Sequence, residues 1–331
     1  MKEPFVSRIL AKLAKKAGVI LNLEPRYGFV GQIVTQSGKK RYFRNTNFDL
    51  NPLGASEIAK DKDYANHFMK RMGYPTVSGE TFYSDEWCDA VKSKRNIHAA
   101  YRYARRIGFP VIVKPNSRSQ GVGVAKVFTK KEFYRAARFA FRKDNVILVQ
   151  RVVSGKDYRI VVLDREIISA YERLPLTVTG DGRSTIRMLL TRKQREFVRA
   201  GRDTILRLDD FRITMKLGRE HRSFSTVLKK GEACALLDNA NLSTGGDAVD
   251  VSRTVHPAWR TWAVKLARDM NLRYIGIDVM AQGTLADPPD LFVVLEVNAA
   301  PGLDNYASLG RTQKRIVESL YLKVLEAMAR S

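Results

Sequence analysis

The chain has 331 residues, 44% hydrophobic and 28% charged; at ~150 residues per domain that is about two units, and the composition excludes a disordered tail or a fibre. Its 58 Lys and Arg outnumber 34 Asp and Glu, leaving a formal charge of +24 that attracts polyanions as a class: nucleic acid, nucleotides, phosphorylated or carboxylate-rich substrates. No window approaches ~18 uninterrupted apolar residues and no long apolar stretch leads to a small-residue cleavage site, so the chain reads as soluble, cytoplasmic and without a membrane partner.

Cys88 and Cys234 have no CxxC spacing, which argues against a zinc site or a disulfide framework. Residues 1–52 read as a short N-terminal region, a basic amphipathic helix followed by the turn-rich, strand-like YGFVGQIVTQSGKKRYF. After the Asn51-Pro52 break, Ser56 is placed to cap one helix carrying Ile58, Ala65, Phe68, Met69 and Met72 to an end near Gly73. A basic helix is predicted from about 89 to 107, stopped at Gly108-Phe109-Pro110. The apolar strand VIVK follows, then the glycine loop SRSQGVGVAKV, a helix opened by Thr129 with Glu132 at capping-box spacing, and a strand over 146–149. Residues 53–150 therefore alternate helix and strand as an α+β layer would.

From 151 onward, YRIVVL and IISAYE are joined by Asp164-Arg165, a predicted hairpin. A charged stretch from about 180 to 235 reads as an insertion, helical over 185–200. Trp259, Trp262, Ala263, Leu266, Ala267 and Met270 line one face of a helix that His256-Pro257 begins. Two strands, RYIGIDVM and LFVVLEVN, precede a last helix with Ile316, Leu320, Val324 and Met328 inward.

Alternation along a strand puts Glu296 and Asn298 on one face, and sets Asp278 against Ile277 and Val279. A carboxylate inside an apolar run costs several kcal/mol unless positive charge meets it. Few oxygen ligands with room for water suit Mg²⁺ holding a nucleotide's phosphates; the rival reading is an ion pair with arginine. Lys114 ends the run FPVIVKP as a lysine aimed at phosphates from a strand end, and Lys62 offers a second ammonium. The glycines of loop 117–123 let backbone amides approach phosphate oxygens, with hydroxyls from Ser117 and Ser119. No GK[ST] follows the loop and no G-x-G-x-x-G opens a helix, which disfavours P-loop and dinucleotide-binding folds.

The order of lysine, glycine loop, strand LVQRVV, an acid seven residues after Gln150, Asp278 and Glu296-x-Asn298 resembles the ATP-grasp superfamily. Within it the chain is similar to the ATP-grasp modules of cyanophycin synthetase and bifunctional glutathione synthetase. The segments that carry the resemblance are SGKDYRIVVL, TGDGRSTI, NANLSTGGDAVDVS, GIDVM and LEVNAAPGL, from about Ser56 to the C-terminus. The resemblance implies an ATP-grasp α+β fold over 53–331, two subdomains at 53–150 and 151–331 sandwiching ATP, with 1–52 a reduced pre-ATP-grasp domain helping to bind the acceptor.

It also implies roles. Lys62 and Lys114 would bind ATP phosphates under the loop of Ser119, Gly121 and Gly123. Gln150, Arg151 and Val153 would lie on the hinge beside adenine, and Asp157 would take the ribose hydroxyls. Asp278, Glu296 and Asn298 would hold magnesium, two ions bridged by Glu296, with Mn²⁺ as an alternative. Asn241, Gly245 and Gly246 would line the triphosphate and acyl-phosphate path, and Arg159 and Arg173 would meet the substrate carboxylate or the transferring phosphoryl group. Two positions depart from the family: Gln150 replaces a common glutamate, and Leu237 replaces an arginine, for which Arg253 or Arg173 would substitute.

The implied activity is ATP-dependent carboxylate-amine ligation through an acyl phosphate, with an amino acid or short peptide as substrate. Positioning and charge stabilisation suffice for such chemistry. No protein nucleophile is required, in keeping with the scattered His67, His98, His221 and His256. The chain has no room for the second catalytic module of either relative, so one peptide bond per turnover is expected, from a monomer or a homo-oligomer. The alternative is a non-catalytic, nucleotide-regulated protein whose basic surface docks an acidic partner or nucleic acid; the lack of helix-turn-helix or zinc-finger spacing counts against sequence-specific DNA recognition.

Overall fold

The computed structural model describes residues 4–308 and 310–330. Helix α1 (Phe5–Ala14) buries Val6, Ile9, Leu10 and Leu13, and leads into an antiparallel meander, β1 (Ile20–Leu23), β2 (Val30–Val34), β3 (Lys40–Arg44) and β4 (Asn47–Phe48). This region has no core to itself. Its Ile33, Phe43 and Phe48 share one with Val161, Tyr171 and the C-terminal helix residues Leu320 and Val324.

The single helix predicted after Pro52 is two, α2 (Leu53–Lys60) and α3 (Lys62–Arg71). Asp61, extended at φ −95° and ψ 110°, breaks the run and caps α3, its carboxylate accepting from the amides of Asp63 and Tyr64. Ser56 lies inside α2 and caps nothing. Ala59, Ala65 and Met69 join the core under the large sheet, with Tyr158, Ile160 and Trp259.

Next come β5 (Gly79–Tyr83), α4 (Asp85–Ala90), α5 (Ile97–Ile107), β6 (Val111–Pro115), β7 (Ala125–Val127), α6 (Lys130–Phe141) and β8 (Val146–Arg151), with strand order β5-β8-β6-β7, all antiparallel. The basic helix predicted over 89–107 is divided. Ser84 caps α4, Asn96 caps α5, and the link between them turns at Lys92, φ +52°. Thr129 caps α6 by accepting from the Glu132 amide, while the Glu132 carboxylate accepts from Phe128 N at 2.8 Å. Phe133, Ala136, Ala137 and Ala140 carry that helix onto the sheet.

The chain continues through β9 (Lys156–Leu163), a turn at Asp164 with φ +52°, and β10 (Glu166–Leu174). The unit begins a few residues before the insertion predicted over about 180–235: β11 (Thr177–Thr179), α7 (Ile186–Arg199), α8 (Phe211–Arg219) and β12 (Ala233–Ala235) enclose a small core of Leu176, Ile186, Leu190, Leu217 and Leu236. Helix α8 crosses to the first layer, where Phe211 meets Phe139 with ring centroids 5.0 Å apart. A 3₁₀ turn, Leu242–Thr244, precedes β13 (Asp247–Asp250), α9 (Pro257–Asp269), β14 (Tyr274–Ala281), β15 (Phe292–Asn298), α10 (Asp304–Ala307) and α11 (Arg311–Arg330). The second sheet runs β13-β10-β9-β14-β15 and is antiparallel throughout. His256 caps α9 by accepting from the Ala258 amide, as its place before Pro257 predicts. Among the described residues no helix is long and apolar enough to cross a membrane.

Candidate active site

Strand register builds the centre of the site. Arg159 on β9 pairs with Asp278 on β14, which in turn pairs with Glu296 on β15, so a guanidinium and two carboxylates stand in one row across the sheet. A register shift after Asp278 leaves Leu295 as the extra residue of a bulge in β15. Beyond it Glu296 and Asn298 keep a common face, the Asn298 amide donating to Glu296 Oε1 at 3.3 Å. Bulges beside active sites re-aim side chains in this way.

Asp278 is buried and fully engaged: Arg159 Nε and Nη2 donate to its two oxygens at 2.6 and 2.7 Å, and Arg173 Nη1 stands 2.9 Å from Oδ2. Burial pushes its pKa up, but Arg159 and Arg173 outweigh that and hold it well below the usual carboxylate range. Asp278 thus forms the arginine ion pair of the rival reading. Arg173 also donates to Asp157 Oδ1 at 2.6 and 2.9 Å; burial raises the Asp157 pKa and Arg173 pulls it back. Glu296 is more open, its side chain 20% exposed, with Lys62 Nζ at 3.7 Å and Arg159 Nη2 at 3.9 Å.

Lys114, at the inner end of β6, is buried, and among the described residues no acid comes within 4 Å of its ammonium. Burial pushes its pKa down to about 8; Glu296 and Asp278 pull it up and Lys62 pushes it further down. Lys62, at the start of α3, spans the two layers: its ammonium reaches toward Glu296 and donates to the carbonyls of Asn116 (3.1 Å) and Arg118 (2.6 Å), where the glycine loop begins.

In that loop Gly121 and Gly123 have φ of +69° and +70°. A Cβ on Gly121 would fall 2.6 Å from Asn241 Oδ1, so the loop lies directly on the NLSTGG turn; Ser119 is exposed. Gly246 is needed for packing, since a Cβ there would press on the carbonyls of Leu174 and Ala240; at Gly245, φ +97°, it would meet Leu206 and Leu176. Gln150 and Arg151 are still in β8 rather than on a hinge, Gln150 buried against Gly79 and Arg151 exposed; only Val153, half-buried, lies on the segment that follows. Arg253 is not brought to the cluster: it is exposed on the turn after β13, next to Ser252, which bonds Ala170. Leu237 is buried in the small core of the insertion, so no cation stands at that position.

Sequence reasoning passed over Arg212. It sits at the start of α8, its guanidinium gripped by Asp210 at 2.6 to 3.1 Å, and it donates to the carbonyls of Gly121 (2.8 Å) and Val124 (3.1 Å). Ser243 of the NLSTGG turn adds a bond to the Gln120 carbonyl at 3.0 Å. The glycine loop is therefore held from the second layer at three successive places.

Two carboxylates and an amide oxygen, from Asp278, Glu296 and Asn298 on adjacent strands, suit a hard divalent cation by donor chemistry, with both Asp278 oxygens held by Arg159 and Arg173. Among the described residues no cluster of three or more His, Cys, Asp or Glu side chains gathers.

The fold superposes on that of a bifunctional glutathione synthetase from Pasteurella multocida with a TM-score of 0.58, over 96% of this chain and 44% of that one, at 21% identity. The chain has the ATP-grasp fold. The family model described as D-ala D-ala ligase C-terminus matches residues 68–180 of this ATP-grasp chain. It is 26% identical over 307 residues to the glutathione biosynthesis bifunctional protein GshAB of Desulfotalea psychrophila, covering 90% of this chain and 38% of that protein. It is 32% identical over 255 residues to the cyanophycin synthetase of Geminocystis herdmanii, covering 74% and 28%. The chain thus spans well under half the length of these relatives.

Proposed function

We propose that this ATP-grasp chain is an ATP-dependent carboxylate-amine ligase that makes one amide bond per turnover on an amino acid or short peptide. The observation that carries the reading is Lys114: a buried ammonium with no acid within 4 Å among the described residues, in electrostatic reach of Glu296, Asp278 and Lys62. A buried cation with no acid in direct contact is costly. A triphosphate supplies the missing negative charge.

A substrate carboxylate oxygen attacks the γ-phosphorus, the bond to the β-phosphate oxygen breaks and ADP leaves. An amine then attacks the acyl carbon, expels inorganic phosphate and gives its proton to solvent. Lys114 and Lys62 stabilise the phosphoryl charge, and Arg159 and Arg173 orient the anionic groups at the sheet. Asp278, Glu296 and Asn298 would hold magnesium, which supplies further neutralisation of the phosphates. The glycine loop, tied to Arg212 and Ser243, excludes water from the acyl phosphate. Asp157 is held by Arg173 through Oδ1 alone, so Oδ2 would serve the ribose role.

Amino acids and dipeptides offered in pairs test the proposal through magnesium-dependent ADP release, with hydroxylamine in place of the amine to trap the acyl phosphate as a hydroxamate. Carboxylate-dependent ADP and hydroxamate, both lost in Glu296→Ala, are expected. ADP release unaffected by Glu296→Ala and Lys114→Ala would refute the site.

A further inference from the structure

Helix α6 presents charge that the ligase reading leaves unused. Lys131, Arg135, Arg138 and Arg142 recur at spacings of four, three and four, so they lie in one stripe along the helix, and all four are exposed. Lys130 and Lys143 flank it. The one acid of the helix, Glu132, is already taken by Arg219 at 3.4 Å and by Phe128 N. Among the described residues none of the six bases has an acid within 4 Å.

Like charges at these spacings weaken a helix, so the stripe costs local stability. Neighbouring helices avoid that: Lys60 pairs with Glu57, Lys216 with Glu220 and Lys265 with Asp269. Three guanidiniums of the stripe are also fixed over rings, Arg135 over Phe211 at 5.2 Å, Arg138 over Tyr134 at 5.5 Å and Arg142 over Phe139 at 5.4 Å. Held over aromatic rings, they lose less side-chain entropy on meeting an anion.

We propose that the α6 stripe is a docking surface for nucleic acid, contacting the phosphate backbone without reading sequence. From Lys131 to Arg142 the helix rises about 16 Å, the length of roughly five phosphates of one strand at ~3.4 Å each. Planar guanidiniums match phosphate oxygens with paired donors. The stripe carries no exposed apolar anchor of the kind that a membrane-surface helix or the core of a protein interface needs, so a vesicle or a folded acidic protein fits it less well.

Fluorescence anisotropy of the whole chain with a labelled mixed-sequence RNA or DNA duplex, roughly 30 residues long, tests this across ~50 to ~200 mM salt. The comparison is between Arg135→Glu, Arg138→Glu, Arg142→Glu combined and a control with the same change of charge, Lys15→Glu, Lys16→Glu, Arg315→Glu, on exposed positions elsewhere. Binding is expected to fall at least tenfold in the stripe variant and less than threefold in the control. The slope of log affinity against log salt should drop by ~0.7 to ~0.9 for each phosphate that the variant no longer neutralises. Melting curves check folding, and the three Arg→Gln changes replace the reversals if those do not fold. Equal loss in both variants, no binding by the parent, or tighter binding to polyglutamate or to phosphatidylserine vesicles than to nucleic acid would overturn the proposal.

Discussion

Asp278 and Glu296 are direct cross-strand partners on β14 and β15, two carboxylates opposite one another with Arg159 completing the row. Directly opposed like charges destabilise a sheet unless cations meet them. Here Arg159 and Arg173 do so for Asp278, while Glu296 remains the more open of the pair.

That inequality separates stability from activity. Asp278→Asn takes from Arg159 its bonded carboxylate and leaves Arg173 with Asp157 alone, and is expected to cost about 3–5 kcal/mol of stability, read from denaturant midpoints. Glu296→Gln should stay within about 1 kcal/mol of the parent and yet abolish carboxylate-dependent ADP release. Because the folded-state pKa of Asp278 is depressed, its contribution is complete above the ordinary carboxylate range and is lost only as pH falls through its lowered value.

Lys114 has the opposite sign. Its pKa of about 8 lies below that of a lysine in the unfolded chain, so between about 8 and ~10.4 the unfolded state binds more protons and stability rises with pH. Bound phosphate favours the ammonium. Nucleotide affinity should therefore be full below pH 8 and fall above it, with proton uptake on binding near pH 9. Calorimetry in buffers of different ionisation enthalpy measures that uptake, and Lys114→Met should remove it.

Arg212 acts through the glycine loop, as a positioning residue. Loss of its two bonds to the carbonyls of Gly121 and Val124 should raise KM for ATP about tenfold, equivalent to ~1.4 kcal/mol. It should also increase ATP hydrolysis without amide formation and expose 117–123 to protease. Arg212→Lys, with one compact ammonium in place of the fork, should restore little of this. A purely structural role would lower the melting temperature and leave the ratio of hydrolysis to ligation alone.

Two glycines make a controlled comparison. Gly121→Ala, at φ +69° with Asn241 Oδ1 2.6 Å from the new Cβ, should impair ATP binding. Gly54→Ala, in α2 with nothing within 4 Å, should be neutral or stabilising by up to about 1 kcal/mol. Nucleotide affinity and thermal melting of the two variants check the contrast.

The local chemistry of the chain was enough to place most elements. Periodicity and caps gave α6 from Thr129, α7 from Thr185 and α9 from His256, and alternation put Glu296 beside Asn298 on one face, because each of these depends on residues within a turn or a strand of one another. The same short-range reading ran α2 into α3, since an aspartate that caps the next helix looks like any polar residue of a helix until Asn116, 55 residues on, is seen bonding its other oxygen. Charge partnership was beyond that reach. Arg159 meets Asp278 across 119 residues, and Arg212 meets Gly121 across 91. Those meetings follow from strand register and from the docking of α8 on the first layer, which many distant residues set together and no single segment encodes.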